Sequence, residues 1–238
     1  MNSTLCTICM RGGSQGIKNK NLKLMNGKPL MYYTIKQAIK SKIFDKIVFS
    51  TDSKQIFKYA KTYGADGWFL RPKKLSYNSS SKVAAIRHIL IEAEKHYDKK
   101  FNFIMDLDVT SPLRKVKDII HAYKIFIKKK ADFLISGTRS KYNPYFNIFE
   151  IVNKRVKKVK IIKKKIIRRQ EAPKTYNANA SIYIWKRKNL VKSVIEPYTA
   201  FSKWNVIFYV MPESRSIDID SKLDFELVEF LLKKRKKW

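Results

Sequence analysis

The chain has 238 residues, 45% of them hydrophobic, enough to fill one sizeable core, so a single domain over residues 1–238 is expected. Its 52 lysines and arginines against 19 acidic residues give a formal net charge of +33, which calls for an anionic partner. No apolar run is long enough to span a bilayer and no leader of signal-peptide type opens the chain, so membrane insertion is not expected and a cytoplasmic protein is.

In chain order, the apolar run at Thr4–Met10 predicts a strand, helical spacing predicts a helix over Pro29–Ser41, and Lys46–Ser50 predicts a second strand. A helix over Lys54–Tyr63 and another over Lys82–Tyr97 lead to a strand at Phe101–Leu107. A helix over Val116–Lys129, strands at Asp132–Ser136, Ser181–Trp185 and Val206–Met211, and a helix over Lys222–Leu232 complete the series. This alternation predicts an α/β protein with a mostly parallel sheet flanked by helices. Ligands of such sheets bind beyond the carboxyl ends of the strands. Cys6 and Cys9 fall in the first strand at a spacing that turns them to opposite faces, so no disulfide is expected between them.

Between Lys141 and Thr175 the alternation fails. Bulky apolar and basic residues interleave there without a helical stripe or a tight-turn signal, which reads as an extended ribbon. A ribbon alone cannot bury an apolar face, so packing on a second copy of the chain, a homodimer, is expected. The basic residues are dispersed, from "KNKNLK" to "KKK" at 128–130 and 163–165 and "KKRKK" at 233–237. No zinc-finger spacing or ribonucleoprotein aromatic motif accompanies them, which argues against dedicated nucleic-acid binding.

Four constellations could carry chemistry. The loop "MRGGSQGIKNKN", Met10 to Asn21, follows the first strand. Gly12, Gly13 and Gly16 would permit close approach and positive φ, successive amides would form a concave anion site, and Arg11 and Lys20 would add charge. A plain glycine turn among surface lysines explains the composition equally well. In "SIDIDSKLDF", Asp218 and Asp220 stand two apart in an extended segment and present carboxylates to one side, a pair able to share Mg²⁺ with substrate phosphates; Asp220 or Ser221 could instead cap the last helix. In "DLDVTSPLR", Asp108, Thr110 and Ser111 end a central strand, with helix capping by Thr110 or Ser111 as the other reading. In "RRQEAPKTYNANAS", Arg168, Arg169, Gln170, Asn177 and Asn179 precede an apolar strand and suit a binding edge or a dimer contact.

The loop from Met10 to Leu30, with "FDKIVFSTDS", "YGADGWFLRP", "TSPLR", "RRQEAPKTY", "IYI" and "RSIDIDSKLDFELVE", resembles in the same order the sugar-acid cytidylyltransferases, the CMP-sialic acid synthetase group. The resemblance implies a Rossmann-like sheet, a homodimer with an exchanged ribbon, and Mg²⁺-dependent transfer of CMP from CTP to a nine-carbon 2-keto sugar acid. It implies triphosphate contacts from Arg11, Gly12, Gly13, Ser14, Lys20 and Asn21, cytidine contacts from Arg71 and Ser79, and Mg²⁺ ligation by Asp218 and Asp220. Asp108, Thr110, Arg169, Gln170 and Asn179 fall on its sugar side. Two departures stand there as well: Asp108 and Val109 replace the family's usual Gln-Pro, and Asn177 replaces a frequent arginine. An aspartate cannot donate as an amide does and would repel a sugar carboxylate unless a cation intervenes, which points to an acid of legionaminic or pseudaminic type. A CMP-Kdo synthetase-like enzyme and a non-catalytic polyanion binder of the same fold are the competing readings.

Overall fold

The computed structural model describes residues 3–14, 16–163, 166–192 and 204–235; Gln15, the end of the lysine run at 163–165 and the last residues of the terminal basic run lie outside them. The strands are β1 (Thr4–Cys9), β2 (Leu24–Met25), β3 (Lys28–Pro29), β4 (Lys46–Ser50), β5 (Phe103–Leu107), β6 (Phe133–Arg139), β7 (Phe149–Val152), β8 (Arg155–Lys158), β9 (Tyr176–Lys186) and β10 (Val206–Val210). The helices are α1 (Leu30–Ser41), α2 (Lys54–Thr62), α3 (Lys82–His96), α4 (Val116–Lys128), α5 (Arg187–Lys192) and α6 (Lys222–Arg235).

Six strands form the central sheet in the order β10-β6-β9-β5-β1-β4. β1 runs parallel to β4 and β5, and β10 parallel to β6, while β9 enters antiparallel between β5 and β6. The result is a Rossmann-like α/β fold, mostly parallel as expected. Two of its features went unseen in the sequence. β9 starts at Tyr176, well before the expected Ser181, because its polar opening "YNANA" pairs with Gly137–Arg139 beyond a register shift in β6 and carries no apolar signal. The short α5 follows β9 without a break.

Burial on both faces explains the near-continuous apolar runs. Cys6, Ile8, Met105, Leu107 and Ile184 join one cluster with Leu30, Ile35, Ile119 and Phe126 of α1 and α4. Leu5, Val48, Ile104, Phe133 and Trp185 join the opposite cluster with Ile86, Ile89 and Leu90 of α3. Cys6 belongs to the first cluster and Cys9 packs against the second; both are free thiols. Ser53 and Ser81 cap α2 and α3, their hydroxyls accepting the Ile56 and Ala84 amides at 3.3 Å, which fixes where each helix leaves the carboxyl edge of the sheet.

The ribbon holds the antiparallel hairpin β7–β8. Its connection overturns the expectation that the segment lacks a tight turn: Asn153 and Lys154 make a two-residue turn with φ of 52° and 62°. Asparagine tolerates that conformation and lysine adopts it under the pairing on either side, so the usual Asn-Gly signature is missing while the geometry is kept. Every residue of both strands is exposed. No helix among the described residues is long and apolar enough to cross a membrane.

Candidate active site

A cleft of about 310 Å³ opens at the carboxyl edge of the sheet, between the loop after β1, the turn before α3 and the end of β5. It brings together Arg11, Ser14, Lys20, Asn21 and Arg71 with Asp108 and Thr110. These residues come from three separate stretches of sequence, so the sheet topology assembles the cleft.

The loop is tied into the fold from several directions. The Gly12 amide donates to Asp52 Oδ1 at 2.7 Å, and a Cβ on Gly12 would stand 3.1 Å from Ser53 Cβ. A Cβ on Gly16 would lie 2.0 Å from the Asp220 carbonyl oxygen, so only glycine lets the loop lie against the 218–220 segment. Gly13 meets nothing within 4 Å and faces open space. The expectation of positive φ is corrected at Gly12 and Gly13, which lie outside that region, and a left-handed residue of the loop is Asn19, with φ 52°. The expected run of free amides is narrowed as well, because the Gly12 amide is spent on Asp52.

The loop's polar side chains are likewise positioned. Buried Asn21 donates from Nδ2 to the Arg11 carbonyl at 2.9 Å, fixing the backbone on which Arg11 stands. Arg11 Nη1 donates to Asn78 Oδ1 at 2.8 Å across the cleft mouth. Lys20 Nζ donates to the Ile219 carbonyl at 2.6 Å and stands 3.8 Å from Asp220 Oδ1. Arg71, buried, donates from Nε to Ser50 Oγ at 2.9 Å and from Nη2 to the Ser50 carbonyl at 2.7 Å.

On the opposite wall the structure reveals a residue the sequence reading passed over. Lys82, at the start of α3, places Nζ 2.8 Å from Asp106 Oδ2 and 2.5 Å from Asp108 Oδ2. Burial works to lower its pKa, but Asp106 and then Asp108 outweigh that effect and hold it well above the ordinary lysine value. Burial raises the Asp106 pKa in spite of Lys82, whereas Asp108 is held low because Lys82, Arg114 and Lys20 outweigh its burial. Beneath them lies Arg114, buried, with all its donors on neutral groups: Gln37 Oε1, the Ser181 carbonyl and hydroxyl, Thr34 Oγ1 and the Asp108 carbonyl, at 2.6–3.3 Å. Burial brings its pKa down to about 10, so it stays charged at neutral pH.

The 218–220 segment meets this wall through the Ile219 amide, which donates to the Thr110 carbonyl at 3.1 Å. Ile217 and Ile219 pack on the core, which turns the alternate residues Asp218 and Asp220 the other way. Asp218 Oδ1 is buried without a hydrogen-bond partner. Burial, then the nearby Asp108 charge, push the Asp218 carboxyl up to about 6, opposed by a hydrogen bond from the Thr110 side chain. A carboxylate with one buried, unpartnered oxygen and a second carboxylate two residues away suit a cation. Among the described residues no group of three or more His, Cys, Asp or Glu side chains gathers for a metal, but Mg²⁺ needs only one or two carboxylates when waters and phosphate oxygens complete its shell. The competing capping role goes to Ser221: its hydroxyl accepts the Asp224 amide at 3.2 Å while Asp224 Oδ2 accepts the Ser221 amide at 2.7 Å, which leaves the exposed Asp220 out of the cap. Arg215, just upstream, grips buried Asp118 through Nε and Nη2 at 2.8 and 2.7 Å and so anchors the segment to α4.

Other expected residues are placed elsewhere. Ser79 is exposed in the turn whose neighbours Tyr77, Asn78, Ser80 and Ser81 line the cleft. Arg169 and Gln170 line a second hollow of about 350 Å³ with Arg139, Lys141 and Asn143, so a single chain does not bring them to Asp108. Asn179 is buried in β9: its Oδ1 accepts from Ser136 Oγ at 2.8 Å and the Ser181 amide at 3.3 Å, and its Nδ2 lies 3.3 Å from Met211 Sδ. Thr110 and Ser111 do not cap α4, whose first turn is closed by Asp118 accepting the Lys115 amide at 2.8 Å. Lys82 was hidden because one lysine among 52 basic residues carries no local mark; what singles it out is its distance to two carboxylates that arrive from β5.

The profile of the family described as Cytidylyltransferase matches residues 5–231. The chain is 44% identical over 232 residues to "CMP-N,N'-diacetyllegionaminic acid synthase" of Campylobacter jejuni, covering 98% of this chain and 96% of that protein. It is 41% identical over 235 residues to "Post-translational flagellin modification protein B" of Campylobacter coli, covering 99% and 97%. A solved structure of CMP:2-keto-3-deoxy-manno-octonic acid synthetase complexed with CTP superposes with a TM-score of 0.69 over 98% of this chain and 100% of that one, at 15% identity, an agreement in fold. With a family profile running nearly end to end and relatives matched over their whole length, this chain belongs to the cytidylyltransferase family.

Proposed function

We propose that the chain transfers CMP from CTP to the anomeric hydroxyl of a nine-carbon 2-keto sugar acid of legionaminic type, releasing pyrophosphate. The hydroxyl oxygen attacks the α-phosphorus, the bond from that phosphorus to the bridging oxygen of the β-phosphate breaks in line, pyrophosphate leaves with that electron pair, and the hydroxyl proton passes to solvent. The observation that carries this reading is the meeting of the cations Arg11, Lys20 and Arg71 in one cleft, bordered by the 218–220 segment that Lys20 and Thr110 hold through Ile219 and that carries, at Asp218, a buried carboxylate oxygen without a hydrogen-bond partner. Arg11 and Lys20 are held where charge builds on the phosphates, Ser14 and Asn21 lie beside them, and the tight fit of Gly16 against Asp220 sets the distance between phosphate loop and carboxylates. Asp218 and Asp220 would hold Mg²⁺, which when bound supplies charge neutralisation at the phosphates. The sugar class follows from the relative named for N,N'-diacetyllegionaminic acid.

The active unit in this reading is a cytoplasmic homodimer. Phe149, Ile151 and Val156 are 54%, 77% and 67% exposed on the hairpin, and a second copy would cover them. Folded protein incubated with CTP, Mg²⁺ and a panel of nine-carbon 2-keto acids should release pyrophosphate with at least one acid; silence with all of them overturns the reading. CTP with Mg²⁺ should raise the melting temperature more than ATP, GTP or duplex DNA, whereas a polyanion binder would respond to every one of them with a steep salt dependence.

A further inference from the structure

We propose that Lys82 is the cation that receives the carboxylate of the sugar acid, with Asp106 and Asp108 acting as the positioning groups that aim its ammonium into the cleft. The inference rests on the proposed reaction and adds the residue that recognises the acid.

In any 2-keto sugar acid the carboxylate is bonded to the carbon that bears the attacking hydroxyl. Its receptor must therefore stand beside the triphosphate contacts and not at a remote end of the site. The phosphate loop forms one wall of the cleft with Arg11, Lys20 and Asn21; the facing wall is lined by Ser80, Ser81, Lys82, Asp108 and Thr110. On that wall Lys82 is the cation, and a third of its side chain is exposed to the cleft, 34%.

The ammonium is fixed on its far side. It has three N–H donors: one goes to Asp108 Oδ2 at 2.5 Å, while Asp106 Oδ2, 2.8 Å away, holds the ammonium as an ion-pair partner outside hydrogen-bond alignment. Both carboxylates are immobilised in turn: Asp106 Oδ1 accepts from Thr7 Oγ1 at 2.8 Å, and Asp108 Oδ1 accepts from the Val109 amide at 3.0 Å. The ring of Tyr183 lies 5.0 Å from Nζ and limits its swing. An ammonium held this way presents donors to the cleft without the loss of side-chain freedom that a surface lysine suffers on binding.

Charge balance allows the role. Asp106 and Asp108 face two cations, Lys82 and Arg114, and Arg114 is buried with only neutral hydrogen-bond acceptors, so the four groups together are neutral. Asp108, at the position where an aspartate threatened to repel the acid, is thus covered by Lys82 and becomes part of the device that holds the receptor.

The test compares N,N'-diacetyllegionaminic acid with its C1 carboxamide, after pyrophosphate release by the wild-type protein with the acid has been established; absence of that release refutes the proposed reaction, not this inference. The wild type should prefer the acid, and Lys82→Met should cut the ratio of acid to carboxamide kcat/KM by about 10- to 100-fold, the range for a charge-assisted hydrogen bond, while KM for CTP stays within about threefold. Because Lys82→Met alone leaves one carboxylate charge uncompensated, Lys82→Met/Asp106→Asn is made beside it, and thermal stabilisation by CTP confirms that each variant is folded. An unchanged acid-to-carboxamide ratio in a folded variant, or a KM for CTP that rises as much as that for the acid, overturns the proposal.

Discussion

The cleft and the ribbon use the same kinds of residues in opposite ways. In the cleft each basic side chain is held by a partner delivered from a distant part of the chain: Lys20 by Ile219, Lys82 by Asp106 and Asp108, Arg71 by Ser50, Arg114 by Ser181 and Thr34. In the hairpin of the ribbon, Arg155, Lys157 and Lys158 alternate with Val156 and every one of these residues is exposed. Position relative to the sheet, not composition, separates a binding surface from a solvated one. The cleft finds its partners within one chain, whereas the exposed apolar face of the ribbon is the one that the proposed second copy would cover.

The largest expected effect breaks the cleft at its narrowest contact. Gly16→Ala drives a Cβ to within 2.0 Å of the Asp220 carbonyl, so loop and carboxylates must separate. Pyrophosphate release should fall by about 100-fold or more, in line with the cost of misplacing reacting groups by an ångström. Gly13→Ala is the matched control for packing, since its Cβ meets nothing within 4 Å. Its stability should stay within about 0.5 kcal/mol of wild type, and any rise in KM for CTP then reports how closely substrate approaches that backbone. Equal losses in both variants would show that the Gly16–Asp220 contact does not set the site.

Next in size is the floor of the cleft. Arg114→Ala removes the donors to Ser181, Thr34 and the Asp108 carbonyl and leaves a void, which should cost about 3–4 kcal/mol in urea unfolding. A loss below about 1 kcal/mol would mean that water replaces the guanidinium and that the wall does not depend on it.

These two positions show what could be read from the sequence. Gly16 stood out as a glycine after a strand, and Arg114 in "TSPLR" as part of a resemblance, yet the reason for each is a contact across the fold: Asp220 for one, Ser181 of β9 for the other. The strands and long helices were legible because burial on both sheet faces leaves continuous apolar runs. The polar start of β9, the Asn153–Lys154 turn and Lys82 were not, since each is defined by what pairs with it and not by its own residue type. Arg169, Gln170 and Asn179 stand out in the sequence as polar groups before an apolar strand, and the resemblance sets them on the sugar side; the single chain places the first two in a second hollow and the third inside β9.

A smaller effect concerns the rear of the helix that carries Lys82. Glu94, near the other end of α3, accepts from Arg187 Nε and Nη2 at 2.6 and 2.8 Å, from Lys100 Nζ at 3.1 Å and from the Phe101 amide at 3.2 Å. Burial acts to raise its pKa, but the hydrogen bonds from Arg187, Lys100 and Phe101 outweigh it and hold the carboxyl below the usual range. A depressed folded pKa contributes stability that is fully present above the unfolded value of about 4.3 and is lost as pH falls through the folded one. Glu94→Gln should therefore cost about 1–2 kcal/mol at pH 7, and the gap to wild type should close on acidification below pH 4. A gap independent of pH would assign the loss to packing instead of charge.

The smallest effect on stability falls in the ribbon, and there it is the most informative. Ile151 and Val156 face each other across β7 and β8, both largely exposed, with Phe149 on the same face by the two-residue alternation. Within one chain Ile151→Asp removes almost no buried surface, so at low protein concentration its urea midpoint should lie within about 0.5 kcal/mol of wild type. If two copies cover this face, the same substitution buries a charge at their interface, and sedimentation at micromolar concentration should show wild-type dimer and variant monomer. The two measurements separate the regions of the molecule: a cleft residue such as Arg114 should change the unfolding midpoint at any concentration, and Ile151 should change only the association. A wild-type monomer would leave the ribbon without its proposed partner, and a destabilised Ile151→Asp monomer would mean that the hairpin is held by its own chain after all.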